Sequence, residues 1–157
     1  MENSKGKNKQ VSQQDYSESQ STPYCITRRY GSLTFEETVQ NVKNGLKKLG
    51  LDLIAEFDVR EYLSSDMEKI PRHLILMVCE KETALNLISK DVQMSVLFPC
   101  NVTIKEVEHN TIIEVSIENT DITWSSAKKK EIMEVAKNTK NILKKLLDTI
   151  EQQNVKL

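Results

Sequence analysis

Two apolar rhythms alternate along the chain, one of period two and one of three to four, and their order outlines a sheet with helices laid against it. Tyr24, Ile26, Arg28 and Tyr30 share one side of a first strand and Cys25, Thr27 and Arg29 the other, between Pro23 and Gly31. Thr34-Phe-Glu-Glu37 has capping-box spacing. Phe35, Val39, Val42, Leu46 and Leu49 follow at helical steps until Gly50 supplies a stop. Leu51, Leu53, Ala55, Phe57 and Val59 then alternate with Asp52, Ile54, Glu56 and Asp58, which predicts a half-buried strand with Glu56 and Asp58 on its open side. Residues 60–70 are expected to form a short helix or turn.

The continuous run Leu74-Ile-Leu-Met-Val78 belongs inside a sheet, because a strand with one face in water would not carry it. Ala84, Leu87 and Ile88 have helical spacing over Glu82 to Ser89. Pro99 lacks an N–H and fits the first residue of a strand, so Cys100, Val102 and Ile104 point inward and Asn101, Thr103 and Lys105 outward. A further strand, Thr111 to Glu118, turns Ile113, Val115 and Ile117 inward, with Glu108-His109-Asn110 as the hairpin turn between the two. Ile132, Ala136, Thr139, Leu143, Leu146 and Ile150 then draw one narrow stripe along a long helix from about Ser126 to Gln153. The pattern predicts an α+β fold in two layers. It has about five strands in an antiparallel or mixed sheet, helices packed on one face and a long C-terminal helix. That helix outruns the strands and leaves apolar surface for a second copy to cover, so a homodimer is the hypothesis that follows.

The phrases Ala55-Glu-Phe-Asp-Val59, Cys79 with Ala84 five residues on, and Leu97-Phe-Pro-Cys-Asn-Val102, in that order of elements, resemble the prokaryotic family known as domain of unknown function 302. The resemblance runs from about residue 24 to 120. It implies a two-layer α+β topology similar to the TATA-binding-protein-like folds, and no established biochemical activity. The chain departs from the family pattern after Cys79, where Glu80-Lys81 stand in place of the common Asn-Pro.

Composition narrows the function classes. The 157 residues carry 22 Lys and Arg against 23 Asp and Glu, a formal charge of −1, so no overall field draws the protein to nucleic acid or anionic lipid. The expected open sheet face, with Glu56, Asp58, Glu114 and Glu118, would repel phosphates and lacks aromatic platforms. Neither a nucleic-acid nor a membrane partner is expected. Residues 1–22 are polar apart from Val11 and read as a disordered tail ahead of a single domain over 23–157. Without an apolar signal stretch the expected location is cytoplasmic, where Cys25, Cys79 and Cys100 stay reduced.

Few residues carry candidate chemistry. Three or four convergent ligands are not visible, and His73 and Cys79 would stand roughly 20 Å apart along one strand, so neither metal nor cofactor is expected. Cys79 and Cys100 fall on family positions at strand ends. They read first as small apolar fillers, and alternatively as redox thiols. Asn101 points outward beside Cys100. Glu56 and Asp58 read as a solvated pair, or else as an acid–base or ligand-binding patch, with Arg28 placed to neutralise them if its strand is adjacent. Trp124 reads as an anchor at the start of the last helix.

No catalytic motif appears, so the first functional expectation is a non-enzymatic module that binds a small ligand or another protein. The alternative is a thiol-based redox or sulfur-handling protein using Cys79, Cys100 or both. Deleting residues 1–22 is expected to leave the thermal midpoint within about two degrees of the full chain, because so few apolar atoms can contribute little burial. A larger drop would show that the segment is docked.

Overall fold

A computed structural model of the protein describes residues 22–63, 70–107 and 112–152. The first strand, β1 (Cys25–Tyr30), leads into helix α1 (Phe35–Lys48). Strand β2 (Asp52–Asp58), the single helical turn α2 (Val59–Tyr62) and strand β3 (His73–Cys79) follow. Helix α3 (Lys81–Lys90) and a 3-10 turn (Val92–Val96) precede β4 (Cys100–Val107) and β5 (Ile112–Glu118). The short α4 (Thr120–Thr123) and a second 3-10 turn (Ser125–Ala127) lead to the 23-residue α5 (Lys130–Gln152). The expected turn at 108–110 and most of 60–70 lie outside the described residues, as do residues 1–21 of the expected tail.

The strands form one sheet in the order β1-β5-β4-β3-β2, every pair antiparallel. Register explains which residues are buried. Val78 pairs with Cys100, Leu76 with Val102 and Leu74 with Ile104; Val102 and Ile104 in turn pair with Ile117 and Val115. Alternation then sends this set to one face, where helices α1 and α5 cover it. Leu76, Val102, Ile104 and Val115 are wholly buried.

Local signals fix the helix ends. Thr34 Oγ1 accepts from the Glu37 N–H at 3.1 Å while Glu37 Oε2 accepts from the Thr34 N–H at 2.9 Å, so both halves of the capping box form. At the other end Gly50 has φ +72°, a conformation that costs a residue with a Cβ. The Leu51 N–H reaches the Leu46 carbonyl at 2.9 Å and the Gly50 N–H reaches that of Lys47 at 3.2 Å, the two bonds of a Schellman motif.

The stripe on α5 is covered within the chain. Ile132, Ala136, Leu143, Leu146 and Ile150 are all buried, and Thr139 is half-buried. The Tyr30 hydroxyl donates to the Leu147 carbonyl at 2.7 Å and the Asn41 amide to that of Ile150 at 3.2 Å, which ties β1 and α1 to the far end of α5. Trp124 is buried before α5 begins, with Nε1 donating to the Leu97 carbonyl at 3.2 Å, and so anchors the approach to the helix. Its start at Lys130 is later than the expected Ser126, because the chain spends residues 120–127 on two short turns.

One strand departs from the expected pattern. The register between β2 and β3 shifts between Leu53 and Ala55, and this bulge flips everything after it. Glu56 pairs with Leu76 and Asp58 with Leu74, which places both acids on the helix-covered side at the sheet edge; Ala55 and Phe57 pair with Met77 and Ile75 on the open side. The core should therefore be sensitive and the cap moderately so. Leu76→Ala is expected to cost about 2–5 kcal/mol and Thr34→Ala about 0.5–2 kcal/mol. Both are to be read as a lower urea midpoint at unchanged slope.

Candidate functional site

Among the described residues the sheet has one face covered by helices and one without a helix layer. The face without helices is concave, with a cavity of about 500 Å³ over β1, β5 and β4. Its floor is built from cross-strand rows. In the first, His73, Lys105, Glu114 and Arg29 stand side by side on four consecutive strands. Lys105 Nζ lies 2.9 Å from Glu114 Oε1, and Arg29 Nε donates to Glu114 Oε2 at 3.1 Å. The Glu114 side chain is 0% exposed, and a carboxylate so removed from water is tolerable only with cations at hand.

The next row is Ile75, Thr103, Ser116 and Thr27. The Thr27 and Ser116 hydroxyls are 2.7 Å apart. Beyond it come Met77, Asn101, Glu118 and Cys25. Thr123 Oγ1 donates to Glu118 Oε2 at 2.8 Å, and Cys25 Sγ lies 3.1 Å from Thr22 Oγ1. Thr22, expected in the tail, thus lines the cavity.

Burial sets the protonation of this face. It lowers the His73 imidazole below its ordinary value, with the neighbouring Lys105 charge acting the same way against weaker pulls from Asp58 and Glu114. It raises the Glu118 carboxyl, while hydrogen bonds from Thr123 and from the Asn101 backbone draw it back down.

The five residues singled out from sequence fall in three places. Asn101 alone joins the open-face cavity. Glu56 and Asp58, expected on the open face, line a groove beside α1, where Glu56 pairs with Lys43. Asp58 caps α2, accepting from the Glu61 N–H at 3.0 Å. Arg28 does not reach them, because β1 and β2 are opposite edges of the sheet; it pairs with Asp148 of α5 at 2.6 Å.

Cys79 and Cys100 do share a rim, since β3 and β4 are antiparallel neighbours and Cys100 pairs with Val78. They border a pinched cavity of about 20 Å³ beneath Phe98 and Trp124. Both remain free thiols, and alternation along β3 turns Cys79 away from the face that takes Val78 and Cys100. Burial pushes the Cys100 thiol far above its ordinary range, helped by Glu118 and Cys79. Burial and the Asp52 charge raise Cys79. Among the described residues no group of three or more His, Cys, Asp or Glu is placed to hold a metal ion, and no helix is long and apolar enough to cross a membrane.

Lys105, Thr103 and Ser116 could have been found from the alternation of β4 and β5, whose outward positions they occupy. Arg29 and Thr27 could not, because nothing local says that β1 pairs with β5.

The geometry defines a class: a two-layer α+β protein whose uncovered sheet face carries a cavity lined by both polar and apolar groups. Residues 26–150 match the family described as "Domain of unknown function DUF302", and the chain belongs to that family. It is similar to the solved crystal structure of an uncharacterized conserved DUF302 protein from Bacillus stearothermophilus. The TM-score is 0.75 at 18% identity, over 82% of this chain and 99% of that one. That likeness shows the fold. No curated protein matches the chain.

The thiols give a direct check at neutral pH. Cys100 is expected to react with iodoacetamide only after denaturation and the half-buried Cys79 slowly, as peptide maps would show, because burial raises both thiols. Rapid labelling of Cys79 or Cys100 in the native protein would restore a reactive-thiol role.

Proposed function

We propose that the protein is a non-enzymatic module that binds a small ligand in the open-face cavity. The observation that carries this reading is a cavity of about 500 Å³, floored by ordered polar rows and closed at one end by a fully buried, doubly ion-paired Glu114. Ligand cavities commonly span ~300–1,000 Å³ and fix orientation with a few placed polar groups. Hydroxyl, amide and charged groups spaced along the floor of the cavity suit a small molecule, whose orientation a few such groups can fix.

The thiol alternative draws less support. A redox site needs a thiolate near neutral pH, and burial works against one at both Cys79 and Cys100.

The test is native mass spectrometry of protein purified gently from its own cells, alongside a Thr103→Trp variant whose indole fills the floor. The wild type is expected to carry a small molecule that the variant lacks while keeping its circular dichroism. An empty wild type that also gains no thermal stability from a panel of polar metabolites would overturn the proposal. Ligand at a hundredfold excess over Kd stabilises by ~2.7 kcal/mol, roughly 5–10 °C for a domain of this size.

A further inference from the structure

Helix α3 is apolar on two sides. Leu87 faces the core and is 0% exposed, whereas Leu85 and Ile88 stand outward at 65% and 44%. The 3-10 turn that follows adds Val92 and Val96 at 66% and 79%. A single exposed aliphatic is ordinary on a protein surface. Leu85, Ile88, Val92 and Val96 crowd residues 85–96, on a helix that already buries its inner side, and such a patch marks a surface that another protein covers.

Spacing and charge say what covers it. Lys81, Leu85, Ile88 and Val92 follow at steps of four, three and four, the pattern of a seam that packs against a second helix. Turned end for end about a two-fold axis between Asn86 and Leu87, this seam meets itself: Leu85 falls opposite Ile88 of the second copy, and Lys81 opposite Val92. The stem of Lys81 then lies along Val92 and its ammonium ends beside Asp91. Asp91 already accepts from the Gln93 N–H at 3.0 Å and pairs with Lys129 at 3.5 Å, and a carboxylate with about four acceptor sites can take a further ammonium. On the flanks Glu82 meets Ser89 and Asp91 meets Ala84, so no like charges are brought together. A parallel arrangement would instead set Lys81 against Lys81.

We propose that α3 is the dimer contact of this protein, with α3 of a second copy laid antiparallel across it on a two-fold axis. The ten residues of α3 span only ~15 Å, so the seam alone is short. Leu85 also borders a groove that α3 forms with Val135, Asn138 and Ile142 of α5, and the flank of the second α3 settles there. The contact stays below the ~800 Å² per partner of a standard interface, which puts dissociation in the micromolar range. It lies on the helix side of the sheet, where Leu87 joins the core, so the open-face cavity stays clear.

The test is sedimentation velocity on the full chain, from about one to several hundred micromolar. A reversible dimer is expected. Leu85→Glu and Ile88→Glu, both at exposed positions, are each expected to weaken it about tenfold or more at unchanged circular dichroism. An equimolar mixture of Leu85→Cys and Ile88→Cys proteins, mildly oxidised and mapped by peptides, should cross-link those two positions more completely than either variant does alone. A monomer throughout the range, a dimer that both Glu variants leave intact, or cross-linking that favours Leu85→Cys with itself overturns the proposal. A monomer that dimerises only once residues 1–21 are deleted overturns it too, and assigns the seam to that segment.

Discussion

Strand register is the constraint on which the rest of this structure depends. Side chains alternate with a period of two, so a fixed pairing settles for every residue whether it meets helices or the open cavity, and a slip of one residue exchanges the two sets. Val78 opposite Cys100 is enough to put Val102 and Ile104 in the core and to leave Asn101, Thr103 and Lys105 outside it. The helix layer holds that register because the stripe on α5 can be buried only against the apolar set. The bulge in β2 is the exception that exposes the rule: at the sheet edge one extra residue turns Glu56 and Asp58 to the other side. Both acids are then used locally, one against Lys43 and one as a helix cap.

Glu114 is the costliest group on the open face and so the most informative. A fully buried carboxylate contributes little net stability even when paired, and a well-packed apolar side chain in its place would often be as stable or more so. It is held by Lys105 and Arg29 from the two strands that flank β5, which fixes the geometry of both cations. A rigid pair of cations around a neutralising anion is poor as a source of stability. It does fix where both cations stand on the open face.

The fold was legible in the chain because its signals are local. Capping-box spacing at Thr34, Gly50 at the helix end, Pro99 ahead of β4 and the stripe from Ile132 to Ile150 each carry their own physical reason. The site was legible only in part. Outward positions on β4 and β5 follow from alternation, but the row that joins His73, Lys105, Glu114 and Arg29 draws on four strands, and strand order is a property of the whole sheet. Cys79 and Cys100 caught attention through the phrases that resemble the family. At the rim Cys100 is buried and Cys79 half-buried, whereas the thiol that borders the open cavity is Cys25, on a strand whose partner could not be read locally. The β2 acids were misplaced because a bulge leaves no mark in apolar periodicity until its register is known.

A sheet with one covered face divides its residues between two tasks. Apolar burial on the helix side supplies most of the stability at ~25 cal/mol per Å², so the opposite face can carry hydroxyls and charges at small cost while water or a ligand satisfies them. Substitutions on the two faces should then be nearly additive, since their side chains point apart and share few partners. Glu114 is where that separation fails: it lies on the open face yet is as buried as the core, and its ion pairs span the strands whose pairing the core also requires. The charges of the open face and the stability of the sheet are therefore coupled through that one carboxylate, while the hydroxyl row beside it can change and leave the fold intact.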